Sequence, residues 1–415
     1  MAPQTLRRID PFGFDTYLRV RAETDRAALL GLGRPRTSRQ FPINHLAPPP
    51  VGSAGVNDLA DRLARRTLEL VDVPSESLHE AAIRERLRAL VPARFASMFE
   101  GDEAFFWARE RRPEMPLLVL AGHYDTVPAQ DNVPGRIEGG AVHGCGASDM
   151  KGGVAVAVEL VRNLADREPG PIDVGLLLFG REELPPEHNA LPALFDGCPL
   201  VREADLVVLL EPTDLTIQAG CLGNLSGRVT FRGVSGHSAR PWLAENAIHA
   251  AIEGLARVAT LERREAVIDG LPFYEVASVT RIEAGLADNV IPDTAVATVN
   301  LRYAPDRTPA EAEALLRSLV PTDADVEIIG NSAPGAVGVD APLARALQAV
   351  GSFPIEPKQA WTNVADFTAR GIPAVNFGPG ATRYAHRRDE LVEIASLERA
   401  YAALRGVALG ESSVV

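Results

Sequence analysis

The sequence predicts an α/β protein: a mainly parallel sheet covered by helices on both faces, with a smaller α+β unit inserted into the chain. Three observations carry this expectation. Short, continuously apolar runs at 117–121, 174–179, 206–210 and 372–377 alternate with helical patterns, and a strand that is apolar on both faces needs cover on both. The middle third instead shows alternating strands in the order β-α-β-β-α-β, which packs two helices on one face of an antiparallel sheet. A length of 415 residues fits two or three domains at roughly 150 residues each.

Residues 1–55 read as an extension or linker, because Arg34-Pro35-Arg36, the run Pro48-Pro49-Pro50, Gly52 and Gly55 favour extended backbone, although a helix fits over 14–30. The globular body begins near Asp58, placed as the N-cap of a helix that carries Leu59, Leu63, Thr67, Leu68 and Val71 on one face. A second helix follows over 80–90, and a strongly apolar one over 154–164 is entered through Gly152-Gly153. The inserted unit runs as strand 225–232, helix 246–263, strands 276–283 and 294–303, helix 310–319 and strand 325–329. The expected division is 56–223 with 334–415 for the main domain and 224–333 for the insert. An open sheet edge on the insert would pair with a second copy, giving a homodimer.

Composition narrows the partners. Lys and Arg number 42 against 55 Asp and Glu, a net charge of −13, with no basic block, which disfavours nucleic acid. A small anionic substrate stays open, since a few arginines in one cleft set the local field. The longest apolar runs are about five residues, far short of the ~20 of a membrane-spanning helix. No apolar segment follows Arg7 and Arg8 to make a secretory signal. Three cysteines, Cys145, Cys198 and Cys221, fit reduced thiols and a cytoplasmic location.

In an open parallel sheet, ligands bind beyond the carboxyl ends of the strands, so the residues after each apolar run matter most. The first run is followed by Gly122-His123-Tyr124-Asp125, the second by Gly180-Arg181-Glu182-Glu183, the third by Glu211-Pro212-Thr213, and the fourth by a Gly-Pro-Gly turn and then His386. The Gly-rich turn before the apolar helix adds Asp149. His123, Asp149, Glu182, Glu183, Glu211 and His386 form a mixed imidazole and carboxylate set that suits Zn²⁺, with Mn²⁺ or Co²⁺ as less fitting occupants. Two ions sharing one carboxylate need five ligands, which leaves one residue for proton transfer. Glu182 and Glu183 leave the strand on different sides, so one can coordinate while the other faces a water. Asp125, two residues from His123 on extended backbone, can accept the hydrogen bond of the ring nitrogen that faces away from the metal. The chemistry expected is metal-assisted hydrolysis.

From about residue 57 to the end, the chain resembles the M20 family of dinuclear zinc amidohydrolases and peptidases, and within it the actinobacterial desuccinylase branch. The resemblance rests on GHYDTVP (122–128), GASDMKGG (146–153), GREEL (180–184), EPT (211–213), GHSARPWLAENAIH (236–249), WTNVADF (361–367), NFGPG (376–380) and AHRRDE (385–390) in that order. It implies that His123, Asp149 and Glu211 hold one zinc, that Asp149, Glu183 and His386 hold the other, and that Glu182 is the general base and Asp125 orients His123. The insert would be a lid and dimerisation domain whose His237 reaches the partner's site to stabilise an oxyanion. Asn289, Arg302 and Thr362 would contact the substrate. The implied reaction is removal of an N-acyl group, best matched by N-succinyl-LL-2,6-diaminopimelate. An acetylornithine-type deacylase and a zinc aminoacyl or dipeptide carboxypeptidase are the alternatives. A zinc-binding homologue without activity is disfavoured, because ligands and base are both present.

The chain departs from that branch in three places. Cys221-Leu222 stand where a pair of arginines is usual, Arg240 is a candidate to supply the missing charge, and Asn363 and Asp366 stand where Asp and Arg are usual. His143 and Cys145 lie close to Asp149 in sequence but are read as structural, since the ligand count is already filled. Cys221 is read as a small buried thiol.

Overall fold

The structure is a computed structural model and describes residues 56–411; the extension at 1–55 and its expected helix over 14–30 lie outside the described residues. Helix Val56–Asp72 (α1) opens the body. Asp58 therefore sits in its first turn rather than at its cap, where the carboxylate still suits the positive end of the helix. Ala81–Leu90 (α2) follows, burying Ile83, Leu87 and Leu90.

Two antiparallel strands not read from the sequence, Ala96–Glu100 (β1) and Ala104–Ala108 (β2), enter the main sheet ahead of Leu117–His123 (β3), Asp173–Phe179 (β4), Leu206–Leu209 (β5) and Ile217–Ala219 (β6). The chain then leaves this sheet to build a second one from Gly223–Arg232 (β7), Arg264–Ile268 (β8), Leu271–Ala284 (β9), Thr294–Tyr303 (β10) and Asp325–Ser332 (β11). It returns with Ile355–Pro357 (β12) and Ala374–Asn376 (β13).

The main sheet has the order β1-β2-β4-β3-β5-β13-β6-β12, and β3, β4, β5 and β13 run parallel at its centre. β3 and β4 are buried along their whole length, as unbroken apolar runs predict. Helix Gly152–Ala165 (α3) and the C-terminal helix Ile394–Leu409 pack with α1 on one face. Leu191, Leu194, Phe195, Val364 and Phe367 cover the other. α3 approaches the end of β5 so closely that a Cβ on Gly153 would stand 2.4 Å from the Leu210 carbonyl oxygen. Only glycine fits there, which explains the Gly pair at the helix start.

The second sheet has the order β8-β9-β10-β7-β11 and is antiparallel throughout. Its strands alternate cleanly: in β10 every second residue is buried, and these pack with Ala251 of helix Ala247–Gly254 and Leu316 of helix Pro309–Leu319. The expected helix over 246–263 is shorter than its pattern. It stops at Gly254, resumes for one turn over Ala256–Ala259, and gives way to β8. β8 and β9 form a hairpin through Asp269-Gly270, both at positive φ, a tight turn whose Asp-Gly pair was the available signal.

Candidate metal centre and active site

His123 ends β3 and is 1% exposed. Its Nε2 lies 3.2 Å from Asp149 Oδ1 and 4.0 Å from Glu211 Oε1. On the other side of Asp149, its Oδ2 lies 3.6 Å from His386 Nε2, which in turn lies 3.0 Å from Glu183 Oε1. The structure thus brings together all five of the residues read as ligands, with Asp149 facing both imidazoles through its two oxygens. His123, Asp149 and Glu183 each offer a donor atom within 4.8 Å of the other two. Glu211 Oε1 is buried with no hydrogen-bond partner among the described residues, which leaves both its lone pairs available to a cation. The donor set and this orphaned oxygen fit divalent metal.

Buried polar contacts fix His123 and the backbone that carries the paired glutamates, whereas His386 stays exposed. The Nδ1 of His123 is 3.1 Å from the backbone carbonyl of Asp125 and 3.5 Å from its carboxylate. The carbonyl is the nearer acceptor, and it leaves Nε2 to face the cluster. The Asp125 carboxylate accepts hydrogen bonds from the Ser77 hydroxyl at 2.7 Å and from the amides of Glu182 and Glu183 at 3.2 and 3.3 Å. One buried acid therefore ties His123 to the paired glutamates. Just before them, Arg181 takes a positive φ of 64° and donates to Glu103 at 2.9 Å.

Two further anchors were not identified from the sequence. Glu390 accepts from the amides of Gly146, Ser148 and Asp149 at 2.9, 2.9 and 3.0 Å, so a buried carboxylate shapes the loop that carries Asp149. The motif AHRRDE contains two adjacent acids, and nothing in their spacing distinguishes Glu390 from the exposed Asp389. Asn300 accepts from Arg302 Nε at 3.0 Å and donates to Asn224, Leu225 and Ser226, which sets the direction of that guanidinium.

The electrostatics match a site built around cations. Burial, and then the charges of Glu211, Glu183 and Asp149 against that of His123, hold the Glu182 carboxyl well above the usual carboxylate range. Burial, reinforced by Asp149, pushes Glu211 up to about 7. The hydrogen bond to Glu183 raises His386 to about 9. Burial pushes Glu390 up to about 7 against the amides that stabilise its charged form. For Asp125, burial works in the same direction, but the bonds from His123 and Ser77 outweigh it and hold the group below its usual value. So many carboxylates in one buried place are stable only with a counter-charge among them.

A cavity of about 430 Å³ adjoins the cluster, lined by Glu182, Glu183, Asn224, Arg302, Trp361 and Asn363 among others. Of the residues read as substrate contacts, Arg302 lines it. Thr362 is 3% exposed, and its hydroxyl has no partner among the described residues. Arg240 and Asn289 are exposed and do not line it. His237 is also exposed; its Nδ1 accepts from the Ala239 amide at 3.1 Å. Asp366 does not itself line the cavity but accepts from two residues that do, Asn189 and Asn363, at 3.1 and 2.8 Å. His143 and Cys145 stay outside the cluster: the imidazole lies 3.3 Å from the Glu138 carbonyl and the thiol donates to the Val127 carbonyl. The Cys221 thiol is buried and raised by that burial.

Residues 119–410 match peptidase family M20/M25/M40. A Mycobacterium tuberculosis protein assigned as a succinyl-diaminopimelate desuccinylase is 40% identical over 344 residues, covering 82% of this chain and 96% of the relative. The chain belongs to peptidase family M20/M25/M40. A Corynebacterium glutamicum protein named succinyl-diaminopimelate desuccinylase is 39% identical over 334 residues, covering 78% of this chain and 90% of the relative. The fold agrees. A tripeptidase structure from Staphylococcus aureus superposes with a TM-score of 0.70 at 18% identity, covering 85% of this chain and 98% of that one. A Bacillus subtilis protein titled a dinuclear metal binding peptidase of the M20 family gives 0.62 at 16% identity, covering 86% and 99%.

Proposed function

We propose that this M20 protein is a succinyl-diaminopimelate desuccinylase, hydrolysing N-succinyl-LL-2,6-diaminopimelate to succinate and LL-diaminopimelate. The observation that carries the reading is near-full-length identity of 39 to 40% to two actinobacterial proteins bearing that name. The five-residue His, Asp and Glu cluster supports the chemistry. Zn²⁺ is the proposed metal, two ions per subunit, with His123, Asp149 and Glu211 on one and Asp149, Glu183 and His386 on the other; Co²⁺ or Mn²⁺ would substitute. When bound, the ions would polarise the amide carbonyl and make water a stronger nucleophile at neutral pH.

Glu182 is the general base: its carboxylate takes a proton from the attacking water and passes it to the leaving amine nitrogen as the C–N bond breaks. Asp125 keeps Glu182 and Glu183 in place. Arg302, Thr362, Asn289 and Arg240 are proposed to hold the substrate. Residues 224–333 would act as a lid and dimerisation domain on a catalytic domain of 56–223 and 334–415, bringing His237 from a partner subunit to donate to the developing oxyanion. A cytoplasmic location fits the reaction and the three free cysteines, all of them buried.

The test is a substrate panel on the zinc-loaded full-length protein: N-succinyl-LL-diaminopimelate, N-acetylornithine and simple dipeptides. The expected result is a kcat/KM at least a hundredfold higher for the succinyl substrate. A preference for dipeptides or N-acetylornithine would replace this reading with a peptidase or another deacylase of the same family.

A further inference from the structure

Between the end of β4 and the paired glutamates stands Arg181, whose φ of 64° lies in the left-handed region. There an L side chain crowds its Cβ against the following carbonyl, and glycine is the usual occupant. The residue before it is already a glycine for another reason: a Cβ on Gly180 would stand 2.8 Å from the Tyr124 ring. The loop therefore presses on that ring and turns one residue later, at a position that does carry a side chain. A residue held in such a conformation needs contacts that outweigh its local preference. The Arg181 guanidinium supplies one, since Nη2 donates to Glu103 Oε1 at 2.9 Å, the one hydrogen bond this side chain makes among the described residues.

Glu103 is placed for this by the sheet. It is 8% exposed and directly precedes β2, which pairs with β4 so that Ala104 faces Phe179. Glu103 thus falls opposite Gly180, and its carbonyl accepts from the Gly180 amide at 2.9 Å. Its carboxylate meets donors from three elements: Arg181 and, at 3.1 Å, Arg84 of α2 on Oε1, and the Tyr124 hydroxyl 3.3 Å from Oε2. Tyr124 lies between His123 and Asp125, so one buried acid joins the loop after β3 to the loop after β4. The glutamate pair is then held from both ends. Asp125 accepts from the amides of Glu182 and Glu183, and Glu103 holds the residue before them. A change of φ at Arg181 would swing the chain that follows, Glu182 first. Arg181 lines the cavity beside Glu182 and Arg302, whereas Glu103 does not, so Glu103 reaches the site only through the arginine.

We infer that Glu103 is a positioning residue for the general base: its bond to Arg181 keeps that residue at positive φ and so keeps Glu182 aimed at the attacking water. This deepens the proposed function and rests on the role given there to Glu182. It also gives the β1–β2 hairpin a task in the chemistry, as the element that delivers the anchoring carboxylate to the rim of the sheet.

The test compares wild type with Glu103→Gln, Arg181→Ala, Arg181→Gly and the double variant Glu103→Gln/Arg181→Gly, all full length and zinc-loaded, on the substrate that wild type cuts best. Glu103→Gln and Arg181→Ala are each expected to lower kcat by about tenfold to a hundredfold, with KM within about threefold and zinc content unchanged. Hydrogen exchange over 180–184, followed by mass spectrometry, should be faster in both than in wild type. Arg181→Gly lacks the same guanidinium but enters positive φ without a Cβ, so it should turn over about fivefold faster than Arg181→Ala. Adding Glu103→Gln to Arg181→Gly should then cost no more than about twofold, because the anchor has nothing left to hold. Arg181→Gly no faster than Arg181→Ala overturns the inference. Losses confined to KM also overturn it, making Arg181 a substrate contact, as do losses that follow zinc content or melting temperature, making Glu103 a support of the fold at large. Should Glu103→Gln fail to fold, the alanine and glycine variants at 181 decide the matter alone. Wild type that prefers a dipeptide or N-acetylornithine refutes the succinyl reading, and the same comparison then runs on that substrate. Activity retained by Glu182→Gln removes the base, and this inference with it.

Discussion

The central strands of the main sheet and the separate two-stranded pair around His237 and Asn289 carry candidate functional residues in opposite conditions. His123, Asp125 and Glu211 are 1%, 0% and 5% exposed, and Asp149 and Glu183 are bound through their backbone amides to the buried acids Glu390 and Asp125. His237 and Asn289 sit on two paired dipeptide strands and their flanks, Gly236–His237 and Val290–Ile291, with both side chains exposed. The contrast teaches that the chemistry is preorganised by the fold. The proposed roles of His237 and Asn289 rest instead on side chains that are exposed in this chain. Arg302 lies between the extremes, half-buried and held by Asn300.

Four substitutions break or sharpen that contrast. Glu182→Gln has the largest expected effect, a fall in kcat of about 10³-fold or more with metal content unchanged, measured by turnover beside elemental analysis; retained activity would remove Glu182 as the base. His237→Ala is expected to lower kcat by about 10²-fold. Because its imidazole is proposed to act on the partner's site, mixing inactive Glu182→Gln with His237→Ala protein should restore part of the activity through hybrid dimers, and no restoration would place His237 in its own subunit's chemistry or outside it. Glu390→Gln leaves one of three amides facing an NH₂ group and should weaken zinc affinity by about tenfold to a hundredfold, as read by competition with a chelator. The smallest effect is expected from Arg302→Met, a KM rise of about tenfold with kcat nearly unchanged. An equal fall in kcat would instead make its contact one formed in the transition state.

Much of this arrangement was legible in the sequence, and for a definite reason. Strands covered on both faces must be apolar at every position, so β3 and β4 stand out as unbroken runs, and the polar residues after them fall at one rim. The alternation of β7 and β10 is equally plain, because one face of the second sheet meets its helices and the other does not. The misses are those that depend on contacts distant in sequence. β1 is exposed along much of its length and lacks a clean pattern, and the helix over 246–263 was overextended because β8 has only Ala266 fully buried. Asp58 carries a cap signature but the helix begins two residues earlier. The role of Glu390 as acceptor of three amides, and the bond from Asn189 to Asp366, join residues far apart in the chain that no local spacing connects.

The account rests most heavily on Asp149 serving two ions at once. Elemental analysis of the purified enzyme and of its Asp149→Asn variant, both confirmed as folded by circular dichroism, addresses this directly. Two zinc ions per wild-type chain, and the loss of both together with activity in the variant, are predicted. A wild-type chain saturating at one ion, or a variant that keeps both, would contradict it.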